Sequence, residues 1–255
     1  ALGPEHVTLF HARFALGDRS RIEQDVLRRF GEGGADAQRA GHVVVATQVV
    51  EQSLDIDFDA MVSDLCPIDR LIQRAGRLQR HVRPRRAAPF VLHVLAPAWS
   101  DDPATTWLGL PFQRTAHVYP DPGVLWRTAR VLQAGAIELP GAARALVEAV
   151  YGDATVPAAL ERRANVAQGQ ALSHEGVAQN AILKLELGYL RTGADWSSEA
   201  RTPTRLGEPT MTVRIAIADE GGARALFVDA AGRPLWHLSQ LGVARRLVAS
   251  PGAGA

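Results

Sequence analysis

A chain of 255 residues is long enough to bury the core of one large or two modest domains. With 47% hydrophobic and 22% charged residues it has the make-up of a globular protein, which excludes a disordered or fibrous class. The net charge of +1 identifies no partner in bulk, and the single cysteine, Cys66, excludes a disulfide framework. No apolar run is long enough to span a bilayer, and a cytoplasmic protein without membrane partners is expected.

In chain order, residues 6–10 read as a strand leading into His11, Ala12, Arg13 and Phe14. A helix follows. Ser20 and Glu23 have the spacing of a capping box, and Ile22, Val26 and Phe30 fall on one face. Arg21 and Asp25 form an i, i+4 pair, and Gly31 marks the stop. Residues 32–41 are a loop by their Gly, Asp and Gln content. The β-branched run at 43–45 reads as a strand buried on both faces, with further strands near 60–63 and 90–95.

Between the last two lies a helix expected to start near Asp69, just after Pro67, and to carry Arg70, Arg74, Arg77 and Arg80. On a 3.6-residue period Gln73, Arg77 and Arg80 share a face opposite Leu71, Ala75 and Leu78. From residue 70 to 86 there are seven Arg plus His81 and no Asp or Glu, the footprint expected where phosphate is handled. Strand, helix, strand, strand, helix, strand predicts an α/β domain, a mainly parallel sheet with helices on both faces, over residues 1–96.

Beyond residue 96, Pro97, Pro103, Pro111, Pro120 and Pro122 punctuate an irregular connector that includes Trp99 and Trp107. Short helices are expected at 124–133 and 142–150, then a long, mostly helical pattern at 157–190. Residues 97–190 are thus connector and linker helices. Residues 191–255 form a small α+β domain whose strands, at 211–218, 225–228 and 234–238, pair antiparallel.

Isolated residues carry little chemistry. Cys66 reads as a small buried hydrophobe. His42, His93, His117, His174 and His237 are scattered and form no ligand set or triad. Trp107, Trp126 and Trp196 are the aromatic groups suited to base stacking, although core packing is the commoner use of tryptophan. Asp55, Asp57 and Asp59 alternate as a metal pair would, yet without histidine ligands a solvated or capping role is expected for Asp57 and Asp59. No metal site is assigned.

The wording of two stretches goes further. VATQVVEQSLDIDFD (45–59) followed by QRAGRLQRH (73–81) resembles motifs V and VI of a superfamily-two helicase. The particular wording resembles the CRISPR-associated helicase–nuclease of type I systems. The resemblance implies that residues 1–96 are the second of two RecA-like motor domains. By position in the motifs it makes Arg77 and Arg80 arginine fingers, with Gln73, Asp55 and Ser53 beside the nucleotide. It makes Thr47 a contact to nucleic-acid phosphate and puts motif IV at His11 and Arg13. Arg70, Arg83, Arg85 and Arg86 are expected to supply general electrostatics.

What the resemblance implies for function is ATP-driven, 3'-to-5' translocation on single-stranded DNA, feeding a nuclease that degrades foreign DNA in CRISPR interference. ATP with Mg²⁺ is the implied cofactor, and an RNA-guided surveillance complex is the implied partner. The only lysine, Lys184, follows no glycine-rich loop, so the chain contains no Walker A motif. Nor does it contain a His-Asp dipeptide of the kind the family's nuclease domain uses. The expectation is a C-terminal portion of a larger machine, beginning at Ala1 as an excised or processed piece and inactive alone, with the nuclease and first RecA-like domains as its missing partners. Two alternatives stay open: another superfamily-two motor on RNA or DNA, and a stand-alone binding or regulatory module.

Overall fold

The computed structural model describes residues 3–51, 54–84, 86, 88–152, 155–180, 210–219 and 222–248. In chain order the strands and helices begin with β1 (Val7–Phe10), α1 (Leu16–Phe30), α2 (Asp36–Arg39), β2 (Val43–Ala46) and β3 (Met61–Asp64). They continue with α3 (Ile68–Ala75), β4 (Leu92–Leu95), α4 (Gln113–Val118), α5 (Pro122–Leu132), α6 (Ala143–Tyr151) and α7 (Ala158–Asn180). Last come β5 (Thr210–Arg214), β6 (Ala216–Asp219), β7 (Gly222–Ala225) and β8 (Gln240–Ala244). The class is α/β as expected, and the described strands form small two-stranded sheets. Two compact units result: Ala1–Met61 with Arg74–Val91 and Glu208–Ala255, and Val62–Gln73 with Leu92–Gly207.

In the first unit β1 and β2 pair in parallel, Val7 opposite Val43 through Phe10 opposite Ala46. Parallel neighbours need a crossover, and α1 lies within it. The face Ile22, Val26 and Phe30 is the one α1 buries, against Phe10 and Ile56 with Val44, Val50 and Leu54 packed around them. Each such buried apolar side chain contributes roughly 1.5–3 kcal/mol, so this small cluster holds the unit's strands and helix together.

Several local expectations are corrected here. Helix α1 begins at Leu16 rather than beside Ser20, and its N-cap Ala15 supplies no side-chain bond. A tertiary contact replaces the capping box: the Gly17 N–H donates to the Leu238 carbonyl at 2.9 Å. A Cβ at Gly17 would come within 2.7 Å of the Phe227 ring, so the close approach requires glycine. Arg21 pairs with Asp18 rather than Asp25, and Asp25 pairs with Arg28 and Arg29. The strand β2 is not buried on both faces. Val43 and Val45, in register with Val7 and Leu9, are all at least 40% exposed, because α1 covers the other side.

The end of the chain pairs antiparallel as expected, β5 with β8 and β6 with β7. The strand bounds differ from those expected: residues 236–238 turn, Pro234 keeps only an isolated antiparallel bridge to Val228, and the returning strands are Gly222–Ala225 and Gln240–Ala244.

In the second unit β3 pairs with β4. Cys66, fully buried, joins Ile68, Leu71, Val124 and Val150 in one apolar cluster, and Leu65, Leu108, Leu125 and Ala129 form another. Helix α5 starts where the Asp121 carboxylate accepts from the Gly123 and Val124 N–H groups and Pro122 takes the first turn. Asp69 is not the cap of α3. It lies inside the first turn and accepts from the Tyr151 hydroxyl at 2.7 Å. Trp126 is core, 6% exposed and stacked on Trp99, and the Trp107 indole donates to the Ala98 carbonyl. Trp196 lies outside the described residues.

Candidate functional site

The site is built where residues 47–59 meet residues 74–86 in the first unit. Helix α3 stops at Ala75, and the continuous helix expected as far as Arg80 is corrected. The Arg77 and Leu78 N–H groups donate to the Arg74 and Ala75 carbonyls in a tight turn. Leu78, 4% exposed, then pairs in parallel with Phe58. The Phe58 N–H donates to the Arg77 carbonyl at 2.9 Å, and the Gln79 N–H donates to the Phe58 carbonyl at 2.8 Å. Gln79 adopts a left-handed φ of 47°, held because its side-chain amide donates to the Asp59 and Ala88 carbonyls. Burying Leu78 in this bridge overrides the helical period.

The consequence is that Arg77 and Arg80 leave the helix and face the preceding motif. Arg80 Nε donates to Asp55 Oδ1 at 2.8 Å, and His81 Nε2 lies 3.0 Å from the same oxygen. Arg77 Nε donates to the Val50 carbonyl at 3.3 Å. Arg74 grips Glu51 Oε1 through Nε and Nη2 at 2.8 and 2.7 Å. The His81 hydrogen bond, joined by the charges of His81 and Arg80 and the Arg80 hydrogen bond, holds the Asp55 carboxyl below its ordinary range and outweighs desolvation, which raises it. Burial and the nearby Arg80 charge draw Arg77 down, while Asp55 raises it. Two guanidinium groups and one carboxylate thus share a patch, with Asp55 and Arg80 side chains 56% and 45% exposed.

Gln73 is exposed on α3 and belongs to the other unit. Ser53 lies outside the described residues. At the far end of the same stretch, Thr47 and the motif at residues 11–14 come together. The Thr47 N–H donates to the Phe10 carbonyl at 3.2 Å, extending the β1–β2 pairing by one residue. His11 Nδ1 accepts from the Arg13 N–H at 2.9 Å, and its ring stacks on Phe14. Thr47 and Arg13 are exposed at the edge where both parallel strands end, the edge at which open α/β sheets present ligand-binding loops. The short 3₁₀ turn Gln48–Glu51 joins this edge to the residues contacted by Arg77 and Arg74.

Sequence reasoning misplaced Asp57 and Asp59. Neither is a freely solvated or capping carboxylate. Asp57 is fully buried between Arg39, Arg83 and Arg86, at 3.1, 2.7 and 3.0 Å from Oδ2. Asp59 pairs with Arg39 and Arg86 at 3.0 and 2.8 Å. Burial alone would raise the Asp57 carboxyl, but hydrogen bonds from Arg83, Arg86 and Arg39 outweigh it and hold it at about 2. Arg83 and Arg86 are therefore structural partners rather than general electrostatics, and Arg85 lies outside the described residues.

The dense basic strip is largely matched by acids upstream, at Glu51, Asp55, Asp57 and Asp59, while Arg70 lies 3.5 Å from Asp69. Arg39 and Glu51 were missed. Their only signal was that each is charged within an otherwise apolar or loop context. Among the described residues no three His, Cys, Asp or Glu side chains stand together as a metal ion requires, and no helix is long and apolar enough to cross a membrane.

Comparison with known proteins converges on one family. Residues 2–83 match a family model described as the C-terminal part of the CRISPR-associated nuclease/helicase Cas3. The CRISPR-associated endonuclease/helicase Cas3 of Thermus thermophilus is 35% identical over 252 residues, covering 89% of this chain and 26% of the relative. The Cas3 of Escherichia coli is 40% identical over 151 residues, covering 58% of this chain and 16% of the relative. The chain therefore spans about a quarter or less of these relatives' length. A solved T. fusca Cas3-ATP structure superposes with a TM-score of 0.68 at 29% identity, covering 93% of this chain and 29% of that one. A chain of a CRISPR RNA-guided surveillance complex, pre-nicking, gives 0.63 at 29% identity, covering 93% and 30%. The chain belongs to the Cas3 helicase–nuclease family and corresponds to a C-terminal portion of it.

Proposed function

We propose that this chain supplies the second RecA-like half of an ATP-driven, 3'-to-5' single-stranded DNA motor. Arg77 and Arg80 are its arginine fingers, and Arg13, His11 and Thr47 its strand contacts. The observation that carries the reading is the Asp55–Arg80 contact at 2.8 Å, with Arg77 on the carbonyl of Val50 five residues upstream. Phosphoryl transfer is chiefly positioning and charge stabilisation, and an arginine aimed at the γ-phosphate contributes about 10³–10⁵ in rate. Arg80 and Arg77 stand on one patch where such a phosphate is met by two planar donor forks. Asp55, held ionised and half-open to solvent, is placed to accept from a ribose hydroxyl and to keep the Arg80 fork aligned until the nucleotide arrives.

The segment between Thr47 and Asp55 gives a physical route for coupling. A shift of the nucleotide contacts pulls on the same short turn that ends at the strand contact. Gln73 and Ser53 complete the nucleotide set in this reading. Magnesium accompanying ATP finds no ligand set among the described residues, since Asp57 and Asp59 are taken by guanidinium groups, and no step is drawn through it.

The remaining machinery, the phosphate-binding lysine and the nuclease, lies in the rest of the full protein, and this chain alone hydrolyses no ATP. An RNA-guided surveillance complex brings the motor to foreign DNA, a reading supported by the surveillance-complex neighbour. The test is Arg77→Ala in the full-length protein. ATP turnover falls by about two orders of magnitude or more, while nucleotide affinity falls much less. Turnover within twofold of the unaltered protein would remove Arg77 from the reading.

A further inference from the structure

Asp55 and Asp57 stand two residues apart, a spacing that would put both on one face of a regular strand, but the segment holding them lies outside the strands and buries only the second. Asp55 is 56% exposed and Asp57 0%. An exposed ion pair contributes little and is held in place by its surroundings rather than by itself. The Asp55–Arg80 pair is such a contact. A buried carboxylate is different, because desolvation is costly unless well-oriented partners surround it, and removing a partner is strongly felt.

What surrounds Asp57 comes from three places. Arg39 ends α2. Arg83 and Arg86 follow Arg80 within six residues. The Asp57 N–H donates to the carbonyl of Phe30, at the end of α1, at 2.8 Å. Arg83 also donates to the Gly31 and Gly34 carbonyls, both at 2.9 Å, and Arg86 donates to the His81 carbonyl. The Arg39 guanidinium reaches the Asp57 carbonyl at 2.8 Å as well. The buried cluster therefore ties the segment holding Asp55 to the segment holding Arg80 and His81, and both to the end of α1. Apolar packing often stabilises as well as such a cluster does, but it lacks the directionality that fixes one guanidinium fork relative to another.

We infer that Asp57 is a positioning residue for nucleotide hydrolysis: clamped by Arg39, Arg83 and Arg86, it sets the register of Arg80 against Asp55, resting on the nucleotide-site reading of Arg80 above. It touches no substrate and acts through Arg80.

The experiment is a double-mutant cycle on DNA-stimulated ATP hydrolysis by the full-length protein, with Asp57→Asn, Arg80→Ala and the pair, each rate referred to the folded fraction. Asp57→Asn lowers kcat about tenfold or more, as small misplacements at a reacting centre do. It leaves KM for ATP within about twofold, and the double variant is no slower than Arg80→Ala alone. A folded Asp57→Asn protein with unaltered kcat, or losses that multiply in the double variant, overturns the inference. Arg80→Ala with unaltered turnover overturns instead the nucleotide-site reading beneath it. If Asp57→Asn does not accumulate folded, Arg86→Gln takes its place in the same cycle, since Asp57 then keeps Arg39 and Arg83, and the same outcomes decide.

Discussion

Asp55 and Asp57 carry the same side chain two residues apart, and the molecule uses them in opposite ways. Asp55 meets Arg80 and His81 in the open, whereas Asp57 meets three arginines out of water. An exposed pair is exchangeable, so a ligand can displace it at small cost. A buried one is not, so it fixes geometry. Identical side chains in one aspartate-rich motif thus take different parts, although a regular strand would turn both to the same face.

The contrast breaks most visibly in stability. Asp57→Asn strands three guanidinium groups around a neutral amide, and loss of one partner of a buried charge cluster costs about 3–5 kcal/mol. Denaturant unfolding of the full-length protein, followed by a probe in this unit, measures it. Acid gives the next largest effect. The Asp57 carboxyl is held at about 2 against an ordinary 3.8. A depressed pKa contributes stability that is present above about pH 4 and lost as the pH falls through about 2. At 1.36 kcal/mol per unit this amounts to roughly 2 kcal/mol. The acid-side slope should flatten in Asp57→Asn and persist in Asp55→Asn.

Asp55→Asn itself should leave stability nearly unaltered, as exposed pairs contribute little, while still impairing turnover; a large stability loss would erase the distinction between the two aspartates. The smallest effect lies at the strand edge. Arg13→Ala should weaken single-stranded DNA binding about equally for unrelated sequences. The logarithmic salt slope should fall by about 0.7, one phosphate contact. Titrations of labelled oligonucleotides at several salt concentrations read this directly, and a strong sequence preference would argue against a backbone contact.

Much of the local structure was legible. Periodicity picked out Ile22, Val26 and Phe30 as the buried face of α1, a short apolar run marked β1 and a β-branched run marked β2. The motif wording brought residues 45–59 and 73–81 together before any geometry was known. What stayed hidden depends on contacts distant along the chain. Helical period alone continued α3 to Arg80, because nothing local signals that Leu78 pairs with Phe58, twenty residues earlier. Counting charge from residue 70 to 86 saw only cations, because the acids that neutralise them lie at 51–59. Arg39 sits in a loop-like stretch, and its partner Asp57 is 18 residues away. Burial of a charged residue follows from such partners, and a window of sequence does not contain them.

The most direct test of the central claim is the DNA-stimulated ATP turnover of full-length protein carrying Arg80→Ala. A fall of about two orders of magnitude or more, with nucleotide affinity nearly kept, is the predicted result. Turnover equal to that of the unaltered protein would contradict the assignment of residues 55, 77 and 80 to a nucleotide site.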